Sequence, residues 1–427
     1  MNFHYSDFKK ALEKSPPFVV PLLAALAAFC TYSCMYAFRK PFTAGTFDGQ
    51  VYAGISIKIL FVIAQLVGYT LSKFLGIRIV SSMKHHHRAL SIVALIASSG
   101  IFLVILPFVP APYNIFCMFL NGIPLGMVWG LVFSYLEGRR ATEFMGSILA
   151  VSFIFSSGFV KSIGKWLMKD YGVSEYWMPA ATAALFLLPL LLFVFILEHI
   201  PHPTKDDIEH RAPRFPMTSK ERKEFVSHFL WGLVILVFVY GMLSIIRDFR
   251  DNFVADMWKE LHVDDPKIFT ATETPIGVIV LACMSLIMLV KDNRFALRLN
   301  HYMVIVGFAI AGISTYAYTQ GFVSPVIWIV ANGLGLYLGY IPFNVVFFER
   351  LIAAVRKPAN VGFLIYIADS FGYLGSIGVL LFKNFGHADM SYVSFFTSAL
   401  YIVSVLGIVL TVVSLFYFNR KLHEEHH

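Results

Sequence analysis

The chain has 427 residues, of which 58% are hydrophobic and 14% charged, and its formal net charge is +8 at pH 7. This composition excludes an ordinary soluble domain, in which about 25% of the residues are charged. The positive charge lies mostly between long apolar runs, so it indicates loops beside a membrane and not a nucleic-acid partner.

Twelve apolar runs are each long enough to cross a bilayer, because about 20 residues rising 1.5 Å each span a hydrocarbon core of about 30 Å. A polar, proline-containing segment separates the first six from the last six. We therefore predict an all-α membrane protein with an N-terminal six-helix bundle at 1–199, a cytoplasmic linker at 200–228 and a C-terminal six-helix bundle at 229–427. The spans are predicted at 18–46, 52–74, 88–109, 113–136, 143–167, 177–199, 229–254, 271–290, 299–318, 324–348, 358–382 and 391–418.

The basic residues predict how these spans are oriented. With the N-terminus in the cytoplasm, 23 of the 34 Lys and Arg lie in inner loops or termini and 5 lie in outer loops. Positively charged loops resist translocation, so we expect a multi-pass protein of the bacterial cytoplasmic (inner) membrane with both termini cytoplasmic. The other 6 basic residues lie inside predicted spans: Arg39, Lys40, Lys58, Lys161, Arg247 and Arg250.

The two halves repeat short patterns at a nearly fixed offset. The Asn-Gly pair that begins at Asn121 recurs at Asn332, 211 residues later. Tyr32 precedes Arg39 by seven residues, and the same spacing recurs 208 residues later in the seventh span. Duplicated six-helix halves are typical of transporters in which two repeats rock around a central substrate.

Four polar residues at the end of the first span, Tyr32, Tyr36, Arg39 and Lys40, are spaced i, i+4, i+7 and i+8. In a continuous helix this spacing places them on one stripe. An Arg or Lys at the centre of a bilayer costs about 2.5 to 3.5 kcal/mol on insertion scales, so the stripe is predicted to face a cavity or a partner. The alternative is that Arg39 extends to the outer headgroups.

The embedded charges predict the class of ligand. The six cations are set against Asp248 and Asp369, so the cavity is predicted to be net positive. Arg39 and Arg247 come from corresponding spans, and two planar guanidiniums suit the paired oxygens of a phosphate, although a carboxylate or sulfate also fits. For Lys58 and Arg250, anchoring at the membrane interface and a functional role are both open.

Three stretches resemble the organophosphate:phosphate antiporter family of the major facilitator superfamily. "YSCMYAFRKPF" at 32–42 resembles its first-span pattern, and "LSIIRDF" at 243–249 resembles its seventh span. "GYIPFNVVFFERLIAAVRKPANVGFLIY" at 339–366 is similar to its tenth-to-eleventh-span stretch. The resemblance implies that Arg39 and Arg247 bind phosphate. It also implies that Tyr32, Tyr36 and Lys40 line the site.

The chain departs from that family at several positions. The fifth span has Ser156 and Ser157 near the position of the family's substrate-binding histidine, and Gln65 replaces a lysine of the second span. Ser72 and Lys73 occupy positions where the superfamily's loop motif has Asp and Arg. The substrate and the mode of exchange therefore stay open.

Asp369 is a candidate for coupling transport to protons, because a carboxyl buried in a span can bind and release a proton. The alternative is that it is a fixed partner of a basic residue. Tyr240, Tyr340 and Asn344 are candidates for hydrogen bonds to a substrate, with packing as the alternative.

Two histidine-containing motifs do not predict a metal site. The C-terminal "HEEHH" matches a zinc-protease pattern, but no downstream ligand follows it. The run 85–87 lies in a basic loop, where solvated or headgroup-facing histidines are the simpler interpretation. We predict neither a metal nor a cofactor.

Together these features predict a monomeric secondary transporter, not an enzyme, that works by alternating access. Its expected partners are the lipid bilayer, a small anionic solute and either phosphate in exchange or protons. An organophosphate or sugar phosphate is the solute class that the resemblance implies. Two alternatives are a proton-coupled transporter of a sugar, peptide or drug, and a transporter-like sensor that binds an anion without moving it.

Overall fold

The computed structural model describes residues 15–16, 18–83, 85–203, 207, 219–355, 361–386 and 390–424. The basic residues before the first span, residues 204–206 and 208–218 of the predicted linker and the last three residues of the histidine-containing tail lie outside this part of the chain. Two compact units are distinguished, and their first boundary, between Arg211 and Ala212, falls within the predicted linker. The limits of that linker stay a prediction.

The first unit comprises Met1–Arg211 with Asp264–Ala271. Its long segments are helical because a backbone in lipid must satisfy its own hydrogen bonds. A short antiparallel hairpin, β1 (Val51–Tyr52) and β2 (Ile55–Ser56), precedes the second span. The helices are α1 (Val19–Tyr36), α2 (Ile57–Ser82), α3 (His85–Ile105), α4 (Asn114–Leu125), α5 (Val128–Phe133), α6 (Thr142–Tyr171) and α7 (Met178–Glu198).

The second unit comprises Ala212–Val263 with Thr272–His427. Pro342 ends one of its helices, and a five-residue π-helical stretch, Phe343–Phe347, follows it directly; we call this stretch the π segment. The helices are α8 (Ser219–His228), α9 (Leu230–Glu260), α10 (Ile268–Met288), α11 (Asn293–Thr319), α12 (Pro325–Pro342), α13 (Phe348–Val355), α14 (Val361–Gly386) and α15 (Tyr392–Glu424).

The described helices agree with the predicted spans. Among the described residues, eleven helical segments are long and apolar enough to cross a membrane, and α14, with 26 residues, overlaps most of the eleventh predicted span. The prediction of an all-α membrane protein is therefore confirmed. Several boundaries differ. Helix α1 ends at Tyr36, ten residues before the predicted end, α2 ends at Ser82, eight residues beyond it, and α9 continues to Glu260, six residues beyond it.

Glycines allow the closest helix contacts in each unit. A Cβ added to Gly122 of α4 would lie 2.3 Å from the Gln65 carbonyl oxygen on α2. In the second unit a Cβ on Gly335 of α12 would lie 2.4 Å from the Gly307 carbonyl oxygen on α11. These distances are far below van der Waals contact, so only glycine permits such approach between membrane helices.

Candidate functional site

Arg39 and Lys40 do not lie on α1 but in the turn that follows it. Helix α1 ends at Tyr36, and a 3-10 turn begins at Pro41. Proline has no N–H to donate, so the i→i−4 hydrogen bonding of α1 cannot continue through Pro41, although Lys40 before it keeps helical dihedral angles. The prediction that both residues continue the helical stripe of Tyr32 and Tyr36 is therefore wrong.

Amide side chains of α2 and α4 hold this turn. The Gln65 Nε2 donates to the Arg39 carbonyl oxygen at 2.9 Å and to the Asn121 Oδ1 at 2.7 Å. The Asn121 Nδ2 donates to the Phe38 carbonyl oxygen at 3.1 Å and to the Ser99 Oγ at 2.6 Å. Gln65, which replaces a lysine of the resembling family, and Asn121, of the repeated Asn-Gly pair, therefore position the backbone that carries Arg39.

The Arg39 guanidinium lies on an aromatic face. Its Cζ is 3.8 Å from the centroid of the Tyr69 ring on α2. The Tyr32 hydroxyl hydrogen bonds to Tyr69, and the Tyr32 ring contacts Tyr36 edge to face at 5.5 Å between centroids. Three of the predicted residues, Tyr32, Tyr36 and Arg39, are thus brought together. Tyr69 was missed because Tyr is common in spans and no spacing distinguished it.

Lys58 fixes the same turn from the hairpin side. Its side chain is fully buried, at 0% exposure, and its Nζ donates to the carbonyl oxygens of Thr43 at 3.0 Å and Gly45 at 2.7 Å. Anchoring at the lipid interface does not describe this residue, since it is enclosed by protein. In the described part of the first unit, every buried charged side chain is basic: Lys40, Lys58, Arg139 and Lys161.

In the second unit Arg247 carries an acidic partner. Its Nη2 lies 2.7 Å from the Asp248 Oδ1, and its Cζ lies 4.1 Å from the centroid of the Tyr340 ring on α12. The other Asp248 oxygen, Oδ2, accepts a hydrogen bond from the Ser376 Oγ of α14 at 3.0 Å. Arg247 is 9% exposed, so it is enclosed by protein and does not extend to lipid headgroups.

The remaining predicted residues of this unit meet at Tyr240. Its hydroxyl donates to the Asp369 carboxylate and lies 3.2 Å from the Tyr340 hydroxyl and 3.5 Å from the Asn344 Oδ1. Asn344 lies in the π segment. Such wide turns occur frequently at functional sites, and this one brings Asn344 beside Tyr240. The four candidates therefore form one hydrogen-bonded cluster next to Arg247.

Arg250 has a different place. It is 1% exposed, its Nη1 lies 2.8 Å from the Glu273 Oε1 on α10, and its Nη2 donates to the Ile329 carbonyl oxygen at 3.2 Å. This is a buried ion pair between helices and not an anchor at the interface. Its contacts indicate packing between α9, α10 and α12.

The sequence predicts two basic and two acidic embedded residues in the second unit, but most of its buried charges are acidic. Among its described residues three buried side chains are basic and five are acidic. Asp256 was not counted because α9 runs two turns further than predicted, and Asp251 and Glu273 were missed although they lie in predicted spans. The basic residues are Arg247, Arg250 and Lys383, and the acidic residues are Asp248, Asp251, Asp256, Glu273 and Asp369.

One aromatic pair is repeated in both units. The Tyr32 and Trp129 rings are 5.1 Å apart between centroids, and the Tyr240 and Tyr340 rings are 5.2 Å apart. The first members are offset by 208 residues and the second by 211, which are the offsets of the sequence repeat. Tyr340 thus occupies the repeat position of Trp129. In each unit this ring contacts the tyrosine that lies seven residues before the unit's arginine.

A family model matches most of the chain. Residues 41–421 match a model described as "Family of unknown function (DUF5690)". The chain belongs to that family. A comparison with curated protein sequences gives no match.

Solved structures similar to this family member share its fold. The crystal structure of a D-xylose-proton symporter is 15% identical with a TM-score of 0.61, covering 94% of this chain and 97% of the other. The nucleoside transporter NupG is 15% identical with a TM-score of 0.59, covering 94% and 99%. A POT family transporter in complex with 5-aminolevulinic acid is 12% identical with a TM-score of 0.59, covering 94% and 96%. These similarities show the major facilitator fold, as the resemblance implied.

Proposed function

We propose that the protein is a secondary transporter that moves a small anionic solute of the organophosphate or sugar-phosphate class across the bacterial cytoplasmic membrane by alternating access. One observation carries this proposal: corresponding segments of the two units each place an arginine against a tyrosine ring, Arg39 on Tyr69 and Arg247 on Tyr340. The same fold in a symporter and in two other transporters supports transport as the activity.

The chemistry of the two sites suits a phosphate. A guanidinium presents a planar fork to two anionic oxygens, and the ring beneath it fixes the plane of that fork. The Tyr32 hydroxyl lies near Arg39 and can donate to a further oxygen. The Tyr240 hydroxyl donates to Asp369, so it would exchange that hydrogen bond for one to the substrate. In low dielectric such charge-assisted hydrogen bonds are stronger than in water. Either inorganic phosphate in exchange or protons complete the transport cycle.

Replacing each arginine by lysine tests the role of the fork. In proteoliposomes, Arg39→Lys and Arg247→Lys are expected to reduce phosphate-ester flux by at least tenfold, because the charge is kept while the bidentate geometry is lost. Arg298→Lys, at an exposed position of α11, is the matched control and is expected to leave flux unchanged. Near-normal flux in both site variants would remove the fork from the proposal.

A proton-coupled transporter of a sugar, peptide or drug is a second candidate. The acidic majority in the second unit and the Tyr240–Asp369 hydrogen bond favour it. The two candidate functions differ in the residue that transport requires. Loss of flux in Asp369→Asn, together with full flux in Arg247→Ala, would support this second candidate over the first.

A further inference from the structure

The Arg247–Asp248 ion pair joins sequence neighbours on α9. Side chains at positions i and i+1 of a helix point about 100° apart, so helix geometry does not hold such a pair together. Arg250, in contrast, bonds to Glu273 on a second helix and to the Ile329 carbonyl oxygen. The guanidinium of Arg247 can therefore leave Asp248 by a change of rotamer, without movement of any helix.

Asp248 keeps polar contacts when the Arg247 guanidinium moves away. Its Oδ2 keeps the hydrogen bond from the Ser376 Oγ at 3.0 Å. A cavity of about 10 Å³ lies beside it, and Asp248, Asn252 and Ser376 supply the polar part of its lining. A polar cavity of this size is about the smallest that admits a single water molecule. The carboxylate thus has one fixed donor and space for one water through which a proton can arrive.

We propose that Asp248 is a coupling carboxylate: an arriving anion takes the Arg247 guanidinium away from Asp248, and the released carboxylate binds one proton. This inference rests on the proposed transport of an anion. The Asp248 carboxylate and one proton from bulk water give the neutral acid, while the substrate neutralises the guanidinium. Without the proton, a buried carboxylate would lose its counter-charge, which is strongly unfavourable. One proton therefore accompanies each anion, which makes the protein a symporter.

The helices packed on α9 differ in the charged groups that they carry. Acidic side chains outnumber basic ones among the buried residues of this unit. Helix α15, which packs on α9, has no charged side chain between Tyr392 and Asn419. Helix α8 precedes the first turn of α9, far along the helix from Asp248. The titratable groups that interact with Arg247 or with its neighbour Tyr337 are Arg250 and Asp251 from α9, Glu273 from α10, Tyr340 from α12 and Tyr373 from α14. Helix α14 also carries Asp369, which bonds to Tyr240, and Lys383, which interacts with Asp256 and Glu260.

The first test needs no substrate. Arg247→Gln removes the guanidinium as an anion would, and we expect one additional protonated carboxyl in its infrared spectrum at pH 7 relative to the wild type. That carbonyl band should be lost again in Arg247→Gln/Asp248→Asn. Arg247→Gln/Asp170→Asn, which removes an exposed carboxylate at the end of α6, should retain it. Absence of the band in Arg247→Gln would overturn the proposal. So would a band that is lost in Arg247→Gln/Asp369→Asn but retained in Arg247→Gln/Asp248→Asn.

The second test measures protons taken up with glycerol 3-phosphate as the probe. Between pH 7.5 and 8.5, well above the second ionisation of a phosphate monoester near pH 6, the wild-type dissociation constant should rise about tenfold per pH unit, since one proton is bound with each anion. In Asp248→Asn the dissociation constant should be independent of pH and at least several-fold lower, because no Asp248 carboxylate competes with the anion for Arg247. A pH-independent constant in the wild type would overturn the proposal. A positive first test without binding of any phosphate ester would instead refute the proposed substrate while supporting Asp248 as the proton-binding group.

Discussion

The two units repeat one aromatic contact but differ in the sign of most of their buried charges. In both, the tyrosine seven residues before the arginine contacts a second ring at 5.1 or 5.2 Å. In the first unit the buried charges of the described residues are all basic, whereas in the second unit acids outnumber bases. Arg39 lies in a turn held by neutral amides, and Arg247 lies on a helix beside a carboxylate.

This difference shows that a repeat can keep its packing while its charges diverge. Ring contacts and glycine approaches depend on shape, and both are present in each unit. Charges act through local partners, so a single substitution can add or remove an ion pair without changing the helices. We infer that the first unit supplies most of the buried positive charge and that the second unit offsets part of it with acidic side chains.

The largest expected effect comes from breaking the second unit's interhelical ion pair. Arg250→Ala should lower the free energy of unfolding by about 3–5 kcal/mol, because it leaves Glu273 buried without its counter-charge. Denaturation of the purified protein in detergent measures this loss. The double variant Arg250→Met/Glu273→Met should recover most of the stability, and an equal loss in the double variant would contradict the electrostatic explanation.

A smaller effect distinguishes the two repeated asparagines. Asn121→Ala should destabilise the protein by about 2–3 kcal/mol, since it leaves buried groups at Phe38 and Ser99 without a donor at about 1–3 kcal/mol each. Asn332→Ala should cost less than about 1 kcal/mol, because its Nδ2 bonds to the Trp328 carbonyl oxygen of its own helix and its buried Oδ1 has no partner. Thermal unfolding of the two variants side by side measures the difference, and equal losses would contradict the different hydrogen-bonding roles of the two asparagines.

The smallest effect concerns the start of α11. Asp292 accepts hydrogen bonds from the backbone N–H groups of Arg294 and Phe295 at 2.8 and 2.9 Å, and these bonds hold its pKa below the ordinary 3.8. A depressed pKa in the folded state means that this stabilisation is present above pH 3.8 and is lost as the pH falls through the folded-state pKa.

Asp292→Asn isolates that contribution, because asparagine also caps a helix but does not titrate in this range. The wild type should lose slightly more thermal stability than Asp292→Asn between pH 5 and pH 3. Parallel pH profiles for the two proteins would show that the carboxylate cap does not contribute.

The sequence predicted the features that depend on hydrophobicity and repetition. Apolar length located the spans, and the fixed offset located Arg39, Arg247, Tyr32 and Tyr240 in corresponding segments. These signals are strong because lipid imposes helices and because duplication preserves spacing.

The features that depend on local hydrogen bonds were not predicted in the same way. The turn after Tyr36 follows from Pro41, which was visible but was placed inside a longer span. Tyr69 faces Arg39 only because α2 and the turn pack together, and no pattern in one helix reveals a partner on another. The acidic majority of the second unit required knowing which side chains are buried, which hydropathy alone does not give.

The π segment holds one surplus residue per turn in the middle of the tenth span. If these five residues returned to regular α-helical register, every side chain beyond them would rotate by about 100° and Asn344 would swing out of reach of the Tyr240 hydroxyl. The span thereby contains an extra residue that a regular α-helix of the same length along its axis lacks. The π segment therefore sets, by about 100°, which side chains of Phe348–Val355 face the rest of the unit relative to those of Pro325–Pro342.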